Sequence, residues 1–118
     1  MNYMQFEVYK SFKSVRDYYG DIPELPEPID STVEIYHLSK EEALSFLNIV
    51  DDLNSECGAV LDDGDVDYFS GEKLFALRTW LENAVRGENC AHLQKVLSIL
   101  ADYVRIATEC KTGVVIEL

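Results

Sequence analysis

The chain has 118 residues, of which 47 % are hydrophobic and 27 % are charged, and its formal net charge is −12. This length and composition are typical of one globular domain and exclude a mainly disordered or collagen-like chain. The sequence contains neither an apolar run of the roughly 18 residues that a membrane-spanning helix needs nor a secretion signal at residues 1–5. We therefore predict a single cytoplasmic domain over 1–118, with no membrane contact.

The acidic residues are concentrated in the middle of the chain. Residues 21–72 contain 15 acidic side chains and one lysine, a net charge of −14, whereas residues 1–20 and 73–118 each carry +1. This asymmetry favours an interaction surface for a basic protein, although an evenly solvated acidic face is the commoner explanation. It argues against nucleic-acid binding, because phosphate contacts require clustered lysines and arginines.

The first thirty residues contain two competing patterns and a proline-rich stretch. Apolar side chains recur at helical spacing from Met4 to Tyr19, which predicts a helix over 10–19 that ends at Gly20. Residues 4, 6 and 8 also alternate as a strand would, so 3–9 remains open between helix and strand. Residues 21–30 contain three prolines and no periodicity, which predicts an extended acidic connector on the surface.

The next segment predicts a strand followed by a helix. Residues 32–37 alternate and are partly β-branched, which is typical of a strand. Ser39 and Glu42 have the spacing of a capping box, in which a serine at the helix start and a glutamate three residues later cap each other's backbone. The helix that they open is expected to run over 40–54.

Two further helices are predicted over 71–86 and 90–110, and a final strand over 114–118. The helix over 90–110 is apolar on nearly every side, so we expect it at the centre of the fold or under a subunit contact. The final strand is expected to pair with 32–37, because an unpaired apolar edge would be sticky. Together these elements predict an α+β fold, with a small antiparallel or mixed sheet packed against three or four helices.

The acidic stretch between the first two long helices resembles a hairpin over 59–69. Asp63-Gly64 is a strong signal for a two-residue turn, and the resulting ladder would set Asp62 opposite Asp65. Opposed like charges cost stability, so a nearby cation would relieve them; a solvated loop without the ladder is the alternative. Tyr68 and Leu74 stand where a calcium-binding loop requires glycine and glutamate, so we predict no metal site.

Catalytic patterns are weak in this sequence. Cys57, Cys90 and Cys110 are dispersed, which predicts reduced, buried thiols. Neither His37 nor His92 is attached to a nucleophile motif or a phosphate-binding loop. We therefore predict a protein that is not an enzyme and has no cofactor. A small metal-dependent enzyme is the least favoured alternative, and it would require Asp62, Asp65 and Asp67 to cluster with His37.

The charge pattern favours a binding function. We predict a small acidic protein that docks a basic partner, and its size and charge are of the kind found in bacterial toxin-immunity proteins and nuclease inhibitors, a likeness of composition only. The predicted docking residues are six aspartates with two aromatic anchors: Asp51, Asp52, Asp62, Asp63, Asp65 and Asp67, with Tyr68 and Phe69. The alternative is a structural or regulatory homo-oligomer, in which the apolar third helix and the aromatic N-terminus form a homodimer contact.

Overall fold

A four-stranded antiparallel sheet organises this computed structural model, which describes residues 4–87 and 90–118. The strands are β1 (Gln5–Tyr9), β2 (Tyr18–Tyr19), β3 (Ile22–Pro23), β4 (Val33–His37), β5 (Val66–Phe69) and β6 (Val114–Glu117). The helices are α1 (Lys40–Leu47), α2 (Val50–Cys57), α3 (Gly71–Gly87) and α4 (Ala91–Cys110). The sheet has the spatial order β4-β1-β6-β5, and β2 and β3 form a separate small hairpin. The predicted α+β class is confirmed.

One face of the sheet packs against the helices and forms the main core. Phe6 and Val8 of β1 and Ile116 of β6 are completely buried there, together with Leu97 and Leu100 of α4. Because α4 contacts β1, β6, α1 and α3, its predicted central position is confirmed. The apolar stripe of α4 packs against other elements of the same chain. None of the helices in the described residues combines the length and apolarity of a membrane-spanning segment.

The other face of the sheet is covered by the chain between β1 and β4. Tyr9 and Val115 on this face are buried beneath a set of partly buried residues that includes Val15, Ile22 and Leu25. The tyrosine hydroxyl of Tyr9 donates a hydrogen bond to the backbone carbonyl of Pro23, 3.2 Å away. The proline-rich segment is therefore partly built into the fold, and is not only a surface connector.

The predicted helix over 10–19 is wrong. Residues 5–9 form β1, which settles the open assignment of 3–9 for the residues that the structure describes, and no helix is assigned over 10–19. Of the apolar residues at helical spacing, Val8 is buried in the main core, Val15 packs against the other sheet face and Tyr19 is exposed. Gly20 begins the two-residue turn between β2 and β3, with a φ of +61° that favours glycine, and does not cap a helix.

The remaining predictions of helices and strands are partly confirmed and partly wrong. The capping box of Ser39 and Glu42 is confirmed, but the helix expected over 40–54 is divided into α1 and α2 near Asn48. The helices over 71–86 and 90–110 and the strands near 32–37 and 114–118 are present. The expected pairing of those two strands is wrong, because β1 lies between them and β6 pairs with β1 and β5.

Glu7 is a buried carboxylate on the second sheet face. Its side chain accepts a hydrogen bond from the amide of Gln5, with 2.7 Å between Nε2 and Oε2, and Glu7 is only 3 % exposed. Burial raises the pKa of Glu7 to about 7; the hydrogen bond from Gln5 opposes this rise and the charge of Glu117 adds to it. Deprotonation of Glu7 on β1 therefore destabilises the folded state.

We expect the substitution Glu7→Gln to stabilise the protein selectively at high pH. The folded pKa lies above the ordinary value of 4.5, so the folded state holds the proton more tightly and stability falls as pH rises between these two values. The variant should gain about 2–3 kcal/mol in the free energy of unfolding near pH 8 and almost nothing near pH 4. Urea denaturation at both pH values measures this, with exposed Glu24→Gln as control. Equal gains at both pH values would contradict the account.

Candidate docking site on the acidic segment

Helix α2 carries the first exposed aspartates of the predicted site. Asp51 and Asp52 lie in its first turn, where the positive end of the helix dipole favours negative side chains. The helix ends at Gly58, whose φ of +66° lets the chain reverse. The amide of Asn54 then accepts from the N–H of Leu61 at 2.9 Å and donates to its carbonyl at 2.7 Å. This pair of bonds ties the returning segment to α2.

The turn predicted at Asp63-Gly64 is present, but the hairpin ladder over 59–69 is not. The N–H of Asp65 donates to the carbonyl of Asp62 at 3.0 Å, and Gly64 has a φ of +87°. The C-terminal residue holds this turn: Leu118 accepts from Gly64 at 2.8 Å and donates to Asp65 at 2.9 Å. Residues 59–61 form no strand, and β5 pairs with β6. Asp62, Asp63 and Asp65 are exposed on the turn.

Unlike the other five predicted docking aspartates, Asp67 is buried, and its carboxylate is engaged within the fold. Its carboxylate lies 2.6 Å from the ammonium of Lys73 and accepts hydrogen bonds from the backbone N–H groups of Val60 and Tyr68. These donors come from the segment before the turn, from β5 itself and from α3. Asp67 therefore joins three parts of the fold, and its carboxylate already has partners within the chain.

The two predicted aromatic anchors also lie away from the turn. Phe69 is completely buried in the main core, so it is not available as an exposed anchor. Tyr68 is half-buried on the other sheet face, where its ring lies so close to Gly113 that a Cβ there would approach it to 2.5 Å. The alternation of side chains along β5 thus separates these neighbours onto opposite faces.

A groove between α2 and α3 supplies the aromatic surface that the sequence prediction lacks. This open cleft has a volume of about 610 Å³ and is lined by Asp52, Glu56, Phe75 and Trp80, among others. The indole N–H of Trp80 donates to Asp52 at 2.8 Å, which fixes that carboxylate at the groove. Phe75 is 66 % exposed. Phe75 follows Leu74 directly, so helical geometry places it about 100° away from the buried stripe of α3. Its exposure could therefore have been predicted from the helical spacing.

Most carboxylates of the acidic segment are not neutralised within the fold. Asp67 is paired with Lys73, and the nearly buried Glu42 lies 3.6 Å from Lys95. Among residues 4–87 and 90–118, no lysine or arginine lies within 4 Å of the carboxylates of Asp51, Asp52, Asp62, Asp63 and Asp65. Two consecutive elements, α2 and the turn, therefore present uncompensated negative charge to solvent.

The arrangement required for a metal-dependent enzyme is not formed. His37 ends β4 and Asp67 lies on β5, at opposite edges of the sheet with two strands between them. Within the described residues, no group of three or more histidine, cysteine or acidic side chains is placed to hold a metal ion. Cys57 alone of the cysteines is buried, contrary to the prediction for Cys90 and Cys110. Burial, aided by Glu56, raises the pKa of the Cys57 thiol to about 11 and keeps it protonated.

Comparison of the chain with protein-family models, with curated proteins and with solved structures finds no match.

We expect Asp67→Ala to unfold the protein more easily and Asp65→Ala to have little effect. Removing the Asp67 carboxylate leaves the Lys73 ammonium and two backbone N–H groups without their acceptor. This should lower the free energy of unfolding by about 3 kcal/mol. Asp65 is exposed, so its truncation should change stability by less than about 0.5 kcal/mol. Thermal and urea denaturation measure the difference, and equal losses would show that Asp67 does not join these elements.

Proposed function

We propose that this chain acts in the cytoplasm as an acidic binding protein that docks a basic partner protein, of the immunity or nuclease-inhibitor type, and that it works by binding and not by catalysis. The observation that carries the proposal is the set of uncompensated aspartates on α2 and the following turn, together with a groove that holds an exposed phenylalanine. Charge and an apolar anchor are the two components of a docking surface that binds quickly and specifically.

Each component has a distinct role in this proposal. The exposed aspartates create a negative potential that raises the rate at which a basic protein encounters this surface. At contact, an arginine or lysine of the partner would place its stem against Phe75 and its charge near Asp52 and Glu56, which line the same groove. The hydrogen bond from Trp80 orients Asp52 before binding, so little side-chain freedom is lost there.

Charge complementarity supports a nuclease as the basic partner. An enzyme that cleaves nucleic acid needs a basic cleft for its phosphates. An acidic protein with closely spaced surface carboxylates presents a negative field similar to that of the nucleic-acid phosphates, so it can occupy such a cleft. The segment 21–72 has a net charge of −14, which supplies the negative charge needed to compete with nucleic acid for the cleft.

A salt-dependent affinity capture with two matched variants tests the proposal. The test variant neutralises Asp51, Asp63 and Asp65 to asparagine; within the described residues, none of these side chains makes a hydrogen bond. The control neutralises Glu82 on α3 and Asp102 and Glu109 on α4 to their amides, which changes the net charge by the same three units away from α2 and the turn. Each bait is exposed to lysate at about 0.1 M and about 1 M salt, where the Debye length falls from about 10 Å to about 3 Å.

The natural and control baits should retain the same basic protein at low salt. The test variant should bind this protein at least about tenfold more weakly. Capture of no basic protein, capture that is indifferent to salt, or equal capture by both variants would overturn the proposal.

A further inference from the structure

A second cleft lies at the end of the molecule where α3 begins and α4 ends, and its lining differs from the acidic segment. It has a volume of about 560 Å³ and takes in Phe12 from the arm after β1, Tyr68 from β5, Phe75 and Arg78 from α3, and Lys111 after α4. None of the described residues that line it has a carboxylate side chain. The acidic α2–α3 groove and the groove between α3 and α4 each contain two acidic residues.

The cleft carries positive charge in a protein whose net charge is −12. Arg78 and Lys111 are its two cationic side chains. The Arg78 guanidinium lies 3.5 Å from Glu82 in the neighbouring groove, but both side chains are more than half exposed, and such surface pairs hold little energy. An anion in the cleft can therefore pair with both Arg78 and Lys111 without breaking a strong internal ion pair.

Lys111 occupies a backbone position that favours glycine. Its φ is +56° and its ψ is +45°, the left-handed conformation that commonly ends a helix. A side chain at this position costs roughly 1 kcal/mol relative to glycine. The exposed Lys111 is one of the residues that line the cleft.

Two phenylalanines give the cleft an exposed aromatic lining. Phe75 is 66 % exposed and Phe12 is 36 % exposed. The Phe12 ring lies against the fully buried Tyr9 ring, with 5.8 Å between ring centroids. The volume is within the range of about 300–1,000 Å³ that is usual for small-molecule sites.

We infer that this cleft binds a small aromatic anion, whose ring lies against Phe12 and Phe75 and whose phosphate or carboxylate group faces Arg78 and Lys111. The charge selects an anion, since no carboxylate of the described lining would repel it. The exposed rings select an aromatic body over an inorganic anion. This cleft shares Phe75 with the acidic α2–α3 groove, and its other lining residues are different.

Titration with phenyl phosphate, followed by heteronuclear NMR on the full chain, tests the inference. Benzoate tests the carboxylate form, inorganic phosphate tests the anion without a ring, and phenol tests the ring without a charge. The variants are Lys111→Gln, Arg78→Gln and Phe12→Ala. Arg86→Gln is the matched control, since Arg86 is an exposed arginine that lines the α3–α4 groove and not this cleft.

Phenyl phosphate or benzoate should bind saturably and shift amide signals at Ser70–Arg78 and Thr108–Thr112, the two segments around the cleft. Lys111→Gln and Arg78→Gln should each weaken binding by about tenfold, and Phe12→Ala by severalfold, while Arg86→Gln binds normally. Phosphate and phenol alone should bind at least about tenfold more weakly. Unsaturable shifts, shifts elsewhere on the surface, equal binding of phosphate alone, or normal binding by the lysine and arginine variants would overturn the inference.

Discussion

The buried carboxylate of Asp67 is the contact on which the acidic surface depends. It accepts hydrogen bonds from Val60 and Tyr68 and lies 2.6 Å from Lys73 of α3. The bond to the N–H of Tyr68 uses a donor of β5, which lies at the edge of the sheet. Asp67 thus joins the segment before the turn to β5 and α3, whereas the carboxylates of Asp62, Asp63 and Asp65 on the turn face solvent.

Helix α3 separates two surfaces of opposite charge. On one side lies the groove with Asp52 and Glu56, and on the other lies the cleft with Arg78 and Lys111. Phe75 lines both. The net charge of −12 is therefore not spread evenly over the chain. Such a surface would orient the proposed basic partner as well as attract it, because a wrongly turned basic protein would meet the positive cleft.

Sequence patterns among neighbouring residues predicted most of the fold. The predictions that were wrong concern features that depend on contacts between distant parts of the chain. The capping box at Ser39 and the apolar stripes of the two long helices depend on neighbouring residues, so they were readable from the sequence. The segment before Gly20 fits two periodicities, and only its packing on the sheet decides between them. In the site, the exposed aspartates and the turn were predictable. The burial of Asp67 depends on a lysine in another element, which spacing along β5 does not encode.

The most direct measurement is a hydrogen-exchange map of the protein bound to the basic partner that it captures. The account predicts that binding slows exchange in the turn at 62–65, in α2 and in the first half of α3, with little change in the β2–β3 hairpin. Protection confined to that hairpin and the arm around it, with unchanged exchange at the turn, would contradict the central claim that the exposed carboxylates of α2 and the turn receive the partner.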